Sequence, residues 1–187
     1  DIDILIDLKG YTENSRPQIL AYKPAPIIVN YLGYPGTTGL GHIDYIIGDE
    51  VLFRPSSEHD FSEYCVSLPC CYQPNTPSRA VAPPTERHHH ELPEDQFVFS
   101  CFNHHWKITP EIIDAWRQIL ERCPESILWI MSPLTGVDVS AIFVEHGIPS
   151  GRIIIAPILP VEKHLERIRH ADLFLDTFPC GAHTTAS

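Results

Sequence analysis

The sequence predicts an α/β protein built on parallel sheets, and three observations carry that prediction. A strand, a helical segment and two more strands follow one another within the first fifty residues. After a proline-rich stretch, strands and helices alternate again. The last apolar run is followed by a Gly-containing turn and Thr184-Thr185, the pattern of a strand leading into a helix.

Residues 2–8 read as the first strand, apolar with acidic interruptions, and residues 10–14 as a turn. Residues 16–22 have a helical pattern that turns Ile19, Leu20 and Tyr22 inward, and Pro24-Ala25-Pro26 stops it. Residues 27–32 and 43–47 are buried strands, separated by a glycine-rich loop at 33–39. Residues 73–93 carry many prolines and little apolar periodicity, which marks a linker between two lobes. The domain boundaries expected are therefore 1–72, 73–93 and 94–187.

Beyond the linker, residues 97–102 form a strand. Thr109 caps a helix with Pro110 in its first position, and that helix buries Ile112, Ile113, Trp116, Ile119, Leu120 and Cys123. Strands are expected at 126–131, 152–155 and 173–175, with helices at 137–146 and 160–170. Such a run of βα units is the pattern of a doubly wound nucleotide-binding domain, whose ligands sit at the carboxyl ends of the strands.

A formal net charge of −11 argues against nonspecific nucleic-acid or anionic-membrane binding, which needs surplus Lys and Arg. It leaves room for a small phosphate-bearing ligand. No apolar run is long enough to span a membrane. Six scattered cysteines without a Cys-x-x-Cys pair point to a reduced, cytoplasmic setting. His88-His89-His90 reads as a solvated loop and not a zinc site, because no His-x-x-x-His frame accompanies it.

Three loops of the second lobe follow strands and carry the candidate chemistry. The first holds Asn103, His104, His105, Trp106 and Lys107, with Lys107 a point cation for a pyrophosphate. The second runs through Leu159 to His164 and Arg167, three apart on one helix face, where imidazole and guanidinium suit a nucleobase. The third is His183-Thr184-Thr185, placed where the first N–H groups of a helix can hold phosphate. By position all three open on one edge of the sheet.

Several of these segments resemble the O-GlcNAc transferase family, closest to its bacterial members. Leu32-Gly33-Tyr34-Pro35-Gly36-Thr37 resembles its LGYPGT loop, preceded by Lys23-Pro24-Ala25-Pro26. Phe102-Asn103 with Lys107 resembles its FN-x-x-x-K loop, and Ser126-Ile127-Leu128-Trp129 its SVLW strand. Leu175-Asp176-Thr177 and His183-Thr184-Thr185 resemble its LDT and HTT elements. The set runs in the family's order over essentially the whole chain.

The resemblance implies a GT-B fold with two Rossmann-like lobes and an inverting, metal-independent transfer from UDP-GlcNAc to Ser or Thr of a protein. Lys107 matches the lysine that neutralises the leaving diphosphate, and His104 lies in the same loop. His183, Thr184 and Thr185 match phosphate and sugar contacts. His164 and Arg167 match uracil contacts, and Leu159 a backbone facing the base. Leu32, Gly33 and Pro35 match the first lobe's loop beside donor sugar and acceptor. Upstream tetratricopeptide repeats are implied for the full-length protein. The acceptor-activating histidine is expected before Asp1 and a ribose-binding acid after Ser187, so this region alone is expected to be inactive. His104, Trp106 and Val161 depart from the animal enzyme's Gln, Tyr and Lys. O-fucosyl transfer from GDP-fucose, N-glucosyl transfer and a non-catalytic interaction module are the alternatives.

Overall fold

The computed structural model describes residues 1–76, 78–132 and 138–186. It divides into two compact units, Asp1–Asn75 and Thr76–Ser187.

The first unit is a four-stranded parallel sheet in sequential order: β1 (Ile4–Asp7), β2 (Ile27–Tyr31), β3 (Tyr45–Asp49) and β4 (Tyr64–Leu68). β1 pairs with β2 from Ile4↔Ile27 to Asp7↔Asn30. Leu20, Ile28 and Ile43 form its small core, with Leu5 and Leu40 against it. The segment expected to be helical at 16–22 is a 3-10 turn, Pro17–Tyr22, closed by Lys23 in the left-handed region. It buries only Leu20; Ile19 is exposed and Tyr22 is 87% exposed, contrary to the inward placement expected from periodicity. A 3-10 turn repeats every three residues, so an inward face spaced for an α-helix does not form. β4 was not anticipated. Its residues 64–67 are all exposed, so it lacks the apolar alternation by which strands are recognised.

The second unit contains β5 (Phe97–Cys101), α1 (Pro110–Arg122), β6 (Ser126–Met131), α2 (Val139–Glu145), β7 (Ile153–Ala156), α3 (Val161–Arg167) and β8 (Leu173–Phe174). The parallel sheet has the order β7-β6-β5-β8. Two layers cover it. Phe99, Cys101, Leu128 and Ile130 meet Trp116 and Phe143 on one face, and Val98, Ile127 and Trp129 meet Leu92 and Phe102 on the other. The continuous burial of β6 follows from having both faces covered. The Trp116 and Phe143 rings stack at 6.1 Å. Burial pushes the Cys101 thiol up to about 11, so it is an inert core group.

Helix ends are set locally. The Thr109 side chain makes no capping bond, and Pro110 in the first turn marks the start of α1. Cys123 at its end is exposed, not buried as expected, because it already lies outside the helical stripe. Arg152 closes that end through the Leu120 and Cys123 carbonyls at 3.2 and 2.8 Å. For α2, Val137 and the residues just before it lie outside the described residues. Its other end is a Schellman motif: Ile148 N–H reaches the Phe143 carbonyl and Gly147 N–H the Val144 carbonyl.

The units divide within the proline-rich stretch. Residues from 82 onward are built into the second unit, through Ala82 N–H to the Glu162 carbonyl at 3.0 Å and through buried Leu92. His88 and His89 are exposed, as a solvated loop would have them. His90 departs from that expectation. The three histidines lie on a 3-10 turn, Arg87–His90, that rolls His90 inward.

Gly147 has φ of +87°, and an added Cβ would meet Arg117 Cδ at 3.3 Å. Gly147→Ala is expected to destabilise the second unit by about 1–2 kcal/mol, the cost of a left-handed non-glycine residue. A urea titration of variant and parent checks it.

Candidate functional site

The chain order places the site. β5 to β7 step in one direction across the sheet, and β8 returns to the far side of β5. The gap beyond the carboxyl ends of β5 and β8 is therefore a topological switch point, where open α/β sheets bind ligands.

Asn103 ties the two loops there. Its Nδ2 donates to Asp176 Oδ1 and to Thr177 Oγ1, both at 2.8 Å. Thr177 Oγ1 in turn donates to the Cys180 carbonyl at 2.7 Å. Asp176 Oδ1 also accepts the N–H groups of Thr177 and Ala182, both at 2.7 Å. The loop after β8 is thus wound around one carboxylate. Asn103 and Thr177 are buried. Lys107 reaches this loop and donates from Nζ to the Gly181 carbonyl at 2.7 Å. Its ammonium is held at the switch point, beside the chain that leads to His183.

His183 and Thr184 are exposed and Thr185 is half-buried. Ala186 N–H bonds to the His183 carbonyl, closing a turn. Thr185 lines a cavity of about 240 Å³ with Phe102 and Ile168. Ser187 lies outside the described residues. Burial first and Lys107 second hold the His183 imidazole below its ordinary range, against the opposing pull of Asp176.

Arg167 is completely buried. Its guanidinium donates to the Pro157 carbonyl at 2.5 Å and to His164 Nδ1 through Nε at 3.1 Å and Nη2 at 2.9 Å. It lies 5.0 Å from the Phe102 ring centre, and Phe102 meets the His164 ring edge to face. His164 Nδ1 therefore accepts, and Nε2 carries the ring's proton. Burial first and Arg167 second hold this imidazole below its ordinary range. The pair does share a face, as the spacing predicts, but Arg167 stands behind His164 and orients it. Leu159 is half-buried in the loop between them and β7.

His104 and Trp106 are exposed, Trp106 by 77%, and their rings stack. Trp106 Nε1 donates to His104 Nε2 at 3.2 Å. A cavity of about 190 Å³ lies at the carboxyl ends of β5 and β6, lined by Phe102, Asn103, His104, His105, Met131 and Ile158. It is smaller than the ~300–1,000 Å³ of a whole-ligand pocket, so it suits one flat portion of a larger molecule. Asn103 Oδ1 has no partner among the described residues.

In the first unit, Leu32, Gly33 and Pro35 follow β2, all half-buried. Leu32 has φ of +73°, and Gly33 approaches the Leu8 carbonyl so closely that a Cβ would lie 2.3 Å from it. Only glycine fits there. Glu63 anchors the loop's far end by accepting from Thr38 N–H at 2.7 Å and from both the Thr37 and Thr38 hydroxyls. Burial pushes this carboxyl up, but those bonds outweigh it and keep it below the ordinary range. Tyr11 completes the anchor, donating to the Thr38 carbonyl at 2.5 Å.

A model of the Glycosyl transferase family 41 matches residues 1–76 and 73–187. The chain belongs to this family. Among curated relatives, the Arabidopsis thaliana protein named probable UDP-N-acetylglucosamine–peptide N-acetylglucosaminyltransferase SEC is 40% identical over 194 residues. That match takes in 100% of this chain and 20% of the relative. The Petunia hybrida SPINDLY protein is 33% identical, over 98% of this chain and 20% of its own length. A solved mutant of the Thermobaculum terrenum O-GlcNAc transferase superposes with a TM-score of 0.81 at 30% identity, over 98% of this chain and 35% of that one. The chain thus spans about a fifth of the length of these curated family 41 relatives. The expected GT-B class holds, with a parallel sheet in each unit.

The sequence places Asn103 in a candidate loop without a role, and Asp176 and Thr177 enter it only through the family resemblance. Nothing in their spacing reveals that one amide joins two loops 73 and 74 residues apart.

His164 and His183 both have folded-state values below the unfolded imidazole's ~6.5. Below that pH the unfolded chain takes up protons that the folded one refuses. Stability should therefore fall as pH drops from ~6.5 toward the folded values, and be unaffected above it. Urea midpoints measured across this range check the slope, which should shrink in His164→Gln.

Proposed function

We propose that the protein containing this region is an inverting protein glycosyltransferase that moves GlcNAc from UDP-GlcNAc to Ser or Thr side chains. The observation that carries this reading is Lys107, pinned 2.7 Å from the Gly181 carbonyl at the switch point between β5 and β8. An ammonium fixed there is preorganised for the charge that grows on a leaving diphosphate and needs no rearrangement during reaction. The names of the family 41 relatives support the donor and the peptide acceptor.

In this reading an acceptor hydroxyl attacks the anomeric carbon from the face opposite the diphosphate, the bond to the phosphate oxygen breaks, and the hydroxyl proton is released to solvent. Lys107 pairs with that oxygen's charge. His183, Thr184 and Thr185 hold phosphate and sugar. His164, oriented by Arg167, offers Nε2–H to the base, with Leu159 beside it. His104 and its stacked Trp106 flank the cavity that receives a flat part of the donor. Leu32, Gly33 and Pro35 line the sugar and acceptor side. No metal is required at the diphosphate, since Lys107 supplies the charge. Upstream tetratricopeptide repeats would select acceptors. Among the described residues no helix is long and apolar enough to cross a membrane, and a cytoplasmic setting fits this reading.

In the full-length protein, Lys107→Ala is expected to lower kcat by roughly 100-fold or more while leaving UDP affinity less affected. Steady-state transfer to a peptide with labelled donor reads it, and an unchanged rate removes Lys107 from the chemistry. UDP should raise the melting temperature more than GDP at equal concentration. The reverse order would replace UDP-GlcNAc by a GDP-sugar donor.

A further inference from the structure

One cluster in the second unit takes no part in the donor site. His90, Glu166 and His170 bring their ligating atoms within 4.8 Å of one another. His90 Nε2 is 3.8 Å from Glu166 Oε2, and His170 Nε2 is 3.6 Å from Glu166 Oε1. The Thr85 hydroxyl oxygen stands over all three, 3.0 Å from His90 Nε2, 3.1 Å from His170 Nε2 and 2.8 Å from Glu166 Oε2.

These four donors outline a small tetrahedron. Metal–ligand bonds of about 2.0–2.1 Å give a regular tetrahedron edges of about 3.3–3.4 Å. With Glu166 Oε2 as the carboxylate donor, the distances of 2.8, 3.0 and 3.1 Å from Thr85 fall short of that length and the 3.8 Å to His90 exceeds it, so shifts of a few tenths of an ångström in both directions would bring these edges to it. The donor set is two imidazoles, one carboxylate and a hydroxyl. Imidazoles select a borderline transition ion over magnesium or calcium.

The surroundings are built to hold these groups. Glu166 is 3% exposed, and its Oε1 also accepts the Thr85 N–H at 2.7 Å, which fixes the carboxylate. His90 is carried by the 3-10 turn whose Arg87 bonds to Asp172 at 2.7 Å and to the Gln96 carbonyl at 2.9 Å. Glu86 and His89 close a capping box at its start.

We propose that Thr85, His90, Glu166 and His170 form a structural zinc site that clips the segment before β5 onto α3 and the 3-10 turn that follows it. The ion would be remote in role from the donor phosphates, so the inference stands whether or not Lys107 acts as proposed. It also reverses the sequence expectation for the histidine run. No His-x-x-x-His frame exists, but Glu166 and His170 are four apart and the third ligand comes from a distant turn.

The test uses the full-length protein stripped with chelator and titrated with Co(II). Visible d–d bands of tetrahedral intensity are expected, bleached by one equivalent of zinc. Elemental analysis should find one zinc fewer per chain in His170→Leu. His90→Ala should weaken zinc affinity by at least about 100-fold, the upper end of the loss when a ligand's outer partner is removed. A parent protein without tetrahedral bands, or variants that keep the parent's zinc content and affinity, would overturn the site. The cluster would then be a polar network holding the turn by hydrogen bonds alone.

Discussion

The amide of Asn103 spans the place where the strand order of the second sheet reverses, and the loops on either side take their shape from it. Its two N–H groups bind one carboxylate and one hydroxyl from the loop beyond β8. Those acceptors are themselves engaged, Asp176 with two backbone N–H groups and Thr177 with the Cys180 carbonyl. The result is a closed circuit of polar groups at the carboxyl edge of the sheet. The Asn103–Thr177 bond is buried, and breaking it would strand its partners away from water, whereas Asp176 faces solvent. Lys107 depends on it: the Gly181 carbonyl that receives its ammonium belongs to the loop the circuit winds.

The same logic governs the other side of the site. A buried guanidinium is costly unless its donors are met. Arg167 meets them with the Pro157 carbonyl and the His164 ring, and it sits between the Phe102 and Trp129 faces. Satisfying that charge also fixes the tautomer and direction of His164. Core packing and the orientation of His164 are thus one problem here. The aromatic residues that fill the second layer of the core are those that hold the arginine behind His164.

The first unit solves a backbone problem instead. Gly33 lies against the carbonyls of residues 8 and 9, and Leu32 takes a left-handed conformation beside it. Glu63, from the residue before β4, then collects three bonds from Thr37 and Thr38. The glycine-rich loop is a tethered structure, with its conformation set at both ends. Membership of family 41 gives these loops a shared context, since the match runs through both units.

Local chemistry in the sequence was enough for the α/β class, for seven of the eight strands among the described residues to within a few residues, and for Lys107, His164 and His183 on segments that follow strands. Apolar runs with both faces buried and a Pro-started helix are properties of contiguous residues, and contiguous residues are what a sequence displays. β4 was invisible because its exposed side chains carry no alternation, and the 3-10 turn at Pro17–Tyr22 imitated an α-helix because six residues are too few to separate periods of 3.0 and 3.6. Tertiary structure alone decided that Asn103 joins two loops, that Arg167 is buried behind His164, and that His90 leaves its neighbours to meet Glu166 and His170. Each of these is a hydrogen-bond partnership or close approach between distant segments. Only the packed sheet brings such groups within 3–4 Å, and no spacing along the chain encodes which donor will find which acceptor.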